Sequence, residues 1–279
     1  MPGIHMQDNL LESRYGVQEK PRNIIWNDTV ALLLGHRSVR RYLPDALPDG
    51  AIETVVAAAQ AASTSSNLHQ WSVVAITDAD LKTQVAAASR SAGGGNPYIE
   101  QAPVFLLWVA DLSRNAALAA AQGKTPVVHD YLDALVMGTI DVALAAQNAA
   151  IAAESLGLGI CYIGAMRNDA RAVAELVGLP DFSYVAFGMV LGHPDARFAS
   201  AIRPRPAQAF ALHHNRYDAQ RSLATVENYE AVFKNFRDEQ EMKPTTWTAA
   251  AVSAATDTDY LGGRQDLRNM LEEAGFRLR

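Results

Sequence analysis

The sequence predicts one α+β or α/β unit, and two observations carry that prediction. Four short, nearly continuous apolar runs, over residues 71–77, 103–110, 158–163 and 184–191, have the length and boundaries of buried strands. Segments with apolar residues at helical spacing lie before, between and after them, so strands and helices interleave along the chain. With 279 residues, one large domain or two of about 150 would both be allowed. No internal repeat or low-complexity linker marks a boundary, which favours one domain over residues 27–279 with a C-terminal extension, preceded by an arm over 1–26.

Each element follows from local signals. Asn27 and Asp28 can cap a helix over 29–34 that stops at Gly35. After the turn residues Pro44, Pro48 and Gly50, residues 51–62 read as a helix, and 63–67 as a polar loop. The first strand follows over 71–77. Asp78 then caps a helix over 79–89, and Gly93, Gly94, Gly95, Asn96 and Pro97 form a loop. Residues 103–110 read as a central strand, 128–156 as a long helix ended by Gly157, and 158–163 as a third strand. Asp169 caps a helix to residue 177, closed by Gly178 and Pro180, before the strand over 184–191. Beyond Gly192 the chain is irregular, with Pro194, Pro204 and Pro206, then a polar helical stretch near 219–235 and a last helix near 265–274.

Composition excludes several classes. There are 24 Lys and Arg against 30 Asp and Glu, a net charge of −6, which opposes sequence-independent nucleic-acid binding and makes any phosphate site a local island of positive charge. The single cysteine, Cys161, removes intramolecular disulfides and cysteine-based metal clusters. The arm has no apolar run and so lacks the core of a secretory signal. Residues 134–153 are long enough to span a bilayer, but they hold Asp141, Gln147 and Asn148 and are rich in Ala. A central core helix or oligomer contact is the expectation there. Together these point to a soluble, cytoplasmic protein with no membrane or nucleic-acid partner.

Four segments carry possible chemistry. His36-Arg37-Ser38-Val39-Arg40-Arg41 concentrates guanidiniums, a hydroxyl and an imidazole at a helix exit, a set suited to gripping phosphate; a solvated basic turn is the alternative. Thr64, Ser65, Asn67 and Gln70 cluster hydroxyls and amides in one loop, able to read the donors and acceptors of a heterocycle or simply to close a turn. Residues 157–164 contain glycines but run helix, turn, strand, the reverse of a dinucleotide-binding turn; Gly164 could bring backbone close to a ligand. Arg203-Pro204-Arg205-Pro206 presents two guanidiniums on a stiffened chain. His129, His213 and His214 lack metal-ligand spacing, Cys161 lies in an apolar strand, and no nucleophile elbow or phosphate-binding Walker sequence is present.

Taken in order, 36–40, the loop ending Asn67-Leu68-His69-Gln70-Trp71, Gln101 to Phe105, Gln147-Asn148 through Gly159, Tyr162-Ile163-Gly164 with Arg167-Asn168, Phe187-Gly188 through Gly192, and 203–206 resemble the nitroreductase family. The likeness is to its NADPH-dependent, oxygen-insensitive branch, of the major nitroreductase and flavin reductase P type. It implies a three-layer α+β fold, a mixed sheet flanked by helices, and an intertwined homodimer holding FMN without a covalent bond. Carried over, His36, Arg37, Ser38 and Arg40 would hold the FMN phosphate, with Arg203 and Arg205 closing on it. Thr64, Ser65, Asn67 and Gln70 would meet the ribityl chain and ring from the partner subunit. Tyr162, Ile163 and Gly164 would line the isoalloxazine. Asn96 stands where relatives usually have Gln, and Ala165 where a second Gly is common. Lys234, Arg237 and Lys243 are the candidates for an NADPH 2′-phosphate.

The implied activity is ping-pong transfer of hydride from NADPH or NADH to a small-molecule acceptor: a nitroaromatic, a quinone or a flavin. The chemistry then belongs to the flavin, and no metal or side-chain acid or base is nominated. The alternatives are a flavin reductase supplying a partner monooxygenase and a non-catalytic flavin-binding protein.

Overall fold

The computed structural model describes residues 3–91, 94–198 and 200–279, so Gly93 of the glycine loop lies outside the described residues. In chain order the helices are α1 (Ile4–Glu19), α2 (Asp28–Leu34), α3 (Ala51–Gln60), α4 (Ala79–Ala88), α5 (Tyr98–Gln101), α6 (Ser113–Ala121), α7 (Leu132–Ser155), α8 (Ala170–Val177), α9 (Ala219–Leu223), α10 (Val226–Glu239), α11 (Trp247–Thr256) and α12 (Leu267–Glu273). The strands are β1 (Trp71–Ile76), β2 (Val104–Asp111), β3 (Gly159–Ile163) and β4 (Ser183–Gly192). The chain forms two compact units: Met1–Arg37 with Ser200–Tyr260, and Ser38–Ala199 with Leu261–Arg279.

The larger unit is a helix–sheet–helix sandwich. Its sheet has the order β1-β2-β4-β3, and the three pairings are antiparallel. Period-two alternation divides β2 between two cores. Leu106, Trp108 and Ala110 face α3 and α7, whereas Phe105, Leu107 and Val109 pack with Val85 and Ala86 of α4 and Val173 of α8. Helices cover both faces, so β2 is buried along its whole length and reads as an unbroken apolar run rather than an alternating one. At Gly188 of β4 an added Cβ would lie 2.2 Å from Cζ of Phe105, so the strand's close packing depends on a missing side chain.

The expected caps are present. The Asn27 side chain accepts from Val30 N–H, Asp78 from Leu81 N–H and Asp169 from Ala172 N–H. The long helix starts later than expected, at Leu132, because residues Val127–Asp130 form a 3-10 turn after Pro126 and Tyr131 is extended. It ends before Gly157, which adopts φ 77°. Its buried side is mostly small, with Ala134, Gly138, Ala145, Ala146, Ala149 and Ala153 admitting the helix close to the sheet beside the larger Leu135 and Val142.

The smaller unit begins with the arm. It is helical over Ile4–Glu19 with a break at Gly16 (φ 75°), buries Leu11 and Arg14, and packs on α2 and α10, with Asn228 Nδ2 donating to Glu19 at 2.7 Å. The stretch expected as one helix near 219–235 is two, α9 and α10, broken at Ala224 and Thr225. Tyr229, Phe233 and Phe236 of α10 stack in series, and Trp247 of α11 meets Tyr229 edge-on. The helices α6 and α11 had no periodic signature, since five of nine and five of ten of their residues are Ala.

Candidate functional site

The polar loop after α3 is the most constrained segment of the larger unit. Thr64 is extended, Ser65–Asn67 make a 3-10 turn, and Ser66, Asn67 and His69 all have φ between 49° and 58°. Non-glycine residues hold such left-handed backbone only where the surroundings enforce it. Here the enforcement comes from two sides. From α7, Asp141 accepts the backbone N–H of Ser65 at 2.8 Å and of Gln70 at 3.3 Å. From α6, Arg114 donates to the carbonyls of His69 at 2.6 Å and Trp71 at 2.8 Å, while its other nitrogen reaches Ser72 and Asp111 at 2.7 Å each. Thr64 Oγ1 accepts from His69 N–H at 3.1 Å. Four of the expected site residues, Thr64, Ser65, Asn67 and Gln70, therefore sit on one immobilised loop.

Gln70 is 2% exposed, and its side-chain Oε1 has no hydrogen-bond partner among the described residues. A buried acceptor left unpaired costs about 1–3 kcal/mol. Such an atom suits a ligand donor, for instance the imide N–H of a flavin ring, so the loop fits the group that the sequence implies.

A second group lies at the end of β3. The Tyr162 hydroxyl donates to the Ala146 carbonyl at 2.8 Å, and its ring meets Phe187 edge-on. Burial lifts the phenol far above its ordinary range, so it stays neutral and presents a ring rather than an ion. Ile163 is buried, and half-buried Gly164 opens the 3-10 turn Gly164–Arg167. In one chain β1, which continues the Ser65–Gln70 loop, and β3 occupy opposite edges of the sheet with β2 and β4 between them. A single copy thus separates two sets of residues expected on one ligand.

Arg40 and Asn96 meet at a third place. Asn96 Oδ1 accepts the Tyr98 hydroxyl at 2.6 Å, and Arg40 acts on the same phenol, opposing the upward push of burial. The backbone beside Arg40 is hung on β3 through Val39 N–H to Ile160 O at 2.9 Å, and Ser38 is half-buried.

In the smaller unit His36 is half-buried, while Arg37, Arg203 and Arg205 are exposed. The carbonyls of the 203–205 segment turn inward: Arg14 Nη1 donates to Arg203 O at 2.7 Å and the Tyr229 hydroxyl to Pro204 O at 3.2 Å. The Arg203 guanidinium lies 5.9 Å over the ring of Phe236. Of the nucleotide-phosphate candidates, Arg237 is buried over Phe233, with Nε and Nη1 lacking partners among the described residues. Lys234 is paired with Asp238 at 2.6 Å.

Sequence reasoning did not assign Asp141, Arg114, Tyr98 or Arg14. Asp141 carried a signal, a lone carboxylate within an apolar helix, which had served only as an argument against a membrane span. Arg114 and Arg14 carried none, because each acts on main-chain carbonyls brought together by the fold. Among the described residues no group of three or more His, Cys, Asp or Glu side chains could hold a metal ion.

Comparison with known proteins agrees with this architecture. The model of the nitroreductase family matches residues 33–193, and that of the family's C-terminal domain matches 203–279. An FMN reductase (NADPH) of Bacillus subtilis is 34% identical over 255 residues, covering 90% of this chain and 98% of that protein. An NADPH-flavin oxidoreductase of Vibrio harveyi is 34% identical over 224 residues, 80% of this chain and 88% of that one. Among solved structures, the hypothetical oxidoreductase YcnD from Bacillus subtilis superimposes with a TM-score of 0.84 at 29% identity, covering 91% of this chain and all of that one.

Proposed function

The chain belongs to the nitroreductase family, and from that premise we infer that it is an FMN-dependent oxidoreductase taking hydride from NAD(P)H. Two relatives matched over 80% and 90% of this chain are named for flavin reduction with NADPH, which supports NADPH as donor and a flavin as one acceptor. Nitroaromatics and quinones are the other acceptors proposed. When bound, FMN supplies the hydride-accepting and hydride-donating centre. The protein's part is to bind, orient and exclude. His36, Arg37, Ser38, Arg40, Arg203 and Arg205 hold the phosphate through charge-assisted hydrogen bonds. Thr64, Ser65, Asn67 and Gln70 would address the ribityl chain and ring, and Tyr162, Ile163, Gly164 and Asn96 would line the isoalloxazine. Neutral Tyr162 puts no competing charge there.

The observation that carries this reading is Gln70: a buried amide oxygen without a donor among the described residues, on a loop fixed in left-handed backbone by Asp141 and Arg114. The placement of β1 and β3 on opposite sheet edges supports a homodimer in which one copy's loop serves the other copy's flavin. The buried thiol of Cys161, outside any disulfide, supports a cytoplasmic location.

The test is the visible spectrum of the purified protein before and after anaerobic addition of NADPH or NADH. A flavin spectrum that bleaches is the expected result, and the faster nucleotide identifies the donor. A flavin that stays oxidised would favour a storage or sensing protein. Colourless protein that cannot be loaded with FMN would remove the reading altogether.

A further inference from the structure

We propose that Arg14, in the N-terminal arm, is a positioning residue for the flavin phosphate: its buried guanidinium joins the two cationic segments and fixes their spacing. The proposal rests on the assignment of His36, Arg37, Arg203 and Arg205 to the phosphate. Arg14 is 5% exposed. On one side its Nη2 donates to Leu34 O at 2.8 Å and to His36 O at 2.6 Å, with Nε also directed at Leu34 O at 3.3 Å. On the other side Nη1 donates to Arg203 O at 2.7 Å. The bond is returned by the main chain, where Arg205 N–H donates to Arg14 O at 2.6 Å.

The arrangement has a physical logic. Leu34 ends α2, whose last carbonyls have no partner inside the helix and carry the negative end of its dipole, so a cation there is favoured. A planar guanidinium can address acceptors on two edges at once, which a lysine ammonium on a flexible stem cannot reproduce. Arg14 and Tyr229 hold the carbonyls of Arg203 and Pro204, which also accept from Arg205 Nη1 at 3.2 and 3.3 Å, and the side chains of Arg203 and Arg205 remain exposed. The segment after α2 is anchored by the same group, through His36 O, immediately before Arg37. Arg14 touches only main chain in these bonds, so its effect on phosphate is one of geometry.

The experiment measures binding of FMN and of riboflavin, which lacks the phosphate, to the full-length apoprotein and to Arg14→Lys and Arg205→Ala variants. Arg205→Ala tests the site itself and should weaken FMN at least tenfold with riboflavin unchanged; unaltered FMN affinity would overturn the phosphate assignment, whatever Arg14 does. With that assignment standing, Arg14→Lys keeps the charge and loses the two-edged contact. It should weaken FMN about tenfold and leave riboflavin within twofold. Wild-type FMN affinity in the Lys variant would mean that charge alone suffices, and equal loss of both ligands would mean a general folding role; either overturns the proposal. Should the Lys variant not fold, hydrogen exchange in the unaltered protein decides. The Arg205 amide, bonded to Arg14 O and flanked by two prolines, should slow on FMN addition and not on riboflavin, and the same rate with both ligands overturns it.

Discussion

Asp141 and Ser65 lie 76 positions apart, yet an Asp141 carboxylate oxygen accepts the Ser65 N–H at 2.8 Å from the middle of the long apolar helix α7. Its other oxygen takes the Gln70 N–H. One side chain thus ties both ends of the left-handed loop to α7 and accounts for a charge where composition would place none. It is 1% exposed. A buried carboxylate is retained where it meets main-chain donors that would otherwise be orphaned.

Replacing it exposes that dependence. Asp141→Ala leaves the Ser65 and Gln70 amides without an acceptor, and at about 1–3 kcal/mol per orphaned group the protein should lose roughly 3 kcal/mol of stability. Urea denaturation of the apoprotein measures it. FMN binding should fall in parallel, because the loop would relax from its strained backbone. Stability and flavin content both equal to wild type would show that the loop holds itself.

The helix caps at Asn27, Asp78 and Asp169 and the four strands were legible because each signal is local: a polar side chain before an apolar run, or a run too short and too β-branched for a helix. The candidate site residues were nominated through the order of their motifs. What holds those residues was not legible, since Arg114 and Arg14 bond to carbonyls that only the folded chain brings near, and an arginine's partners leave no mark in the sequence around it. How the arm packs was not legible for a related reason. Its helix has weak amphipathicity, and what fastens it is one buried guanidinium and a contact with α10, rather than an apolar stripe.

Gly188 tests the packing on which the sheet rests. Its position in β4 pairs with Leu107 and Ile163, and a methyl group there would enter the fully buried Phe105 ring. Neither strand can retreat, being hydrogen-bonded on both sides. Gly188→Ala should therefore destabilise by about 1–3 kcal/mol or more. A melting temperature within a degree of wild type would mean that the ring rotates away freely.

His129 gives the fold a pH dependence. It is 7% exposed, edge-on to Phe182, and its Nδ1 has no partner among the described residues. Burial pushes its pKa below the ordinary 6.5, against a weaker upward pull from Asp130. Above pH 6.5 both folded and unfolded forms are neutral, and the histidine costs nothing. As pH falls below 6.5 the unfolded chain takes up the proton first, so stability drops until the lowered folded value is passed. Thermal melts between pH 8 and 5 should show that decline, and His129→Leu should flatten part of it. An identical slope in the variant would assign the acid sensitivity elsewhere.

The face of α7 turned away from the sheet argues for a second copy of the chain. The helix departs from the usual pattern: its buried side is mostly Ala and Gly, with Leu135 and Val142 the buried larger apolar residues, while Leu132, Val136, Ile140 and Leu144, four residues apart along the other side, are 51%, 45%, 50% and 43% exposed. A soluble helix normally spends its bulky side chains on its own core and leaves small or polar ones outside. An aligned apolar stripe of this length marks a contact surface. The same stripe explains why the segment passes a length-and-hydropathy test for crossing a membrane, although half of that window is buried inside the protein. Ile140 precedes Asp141, so the surface and the anchor of the Ser65–Gln70 loop share one turn of helix. Ile140→Asp should accordingly yield a monomer by light scattering and co-purify with little FMN. A flavin-loaded dimer surviving that charge would exclude this face as the interface and, with it, the sharing of the loop between copies.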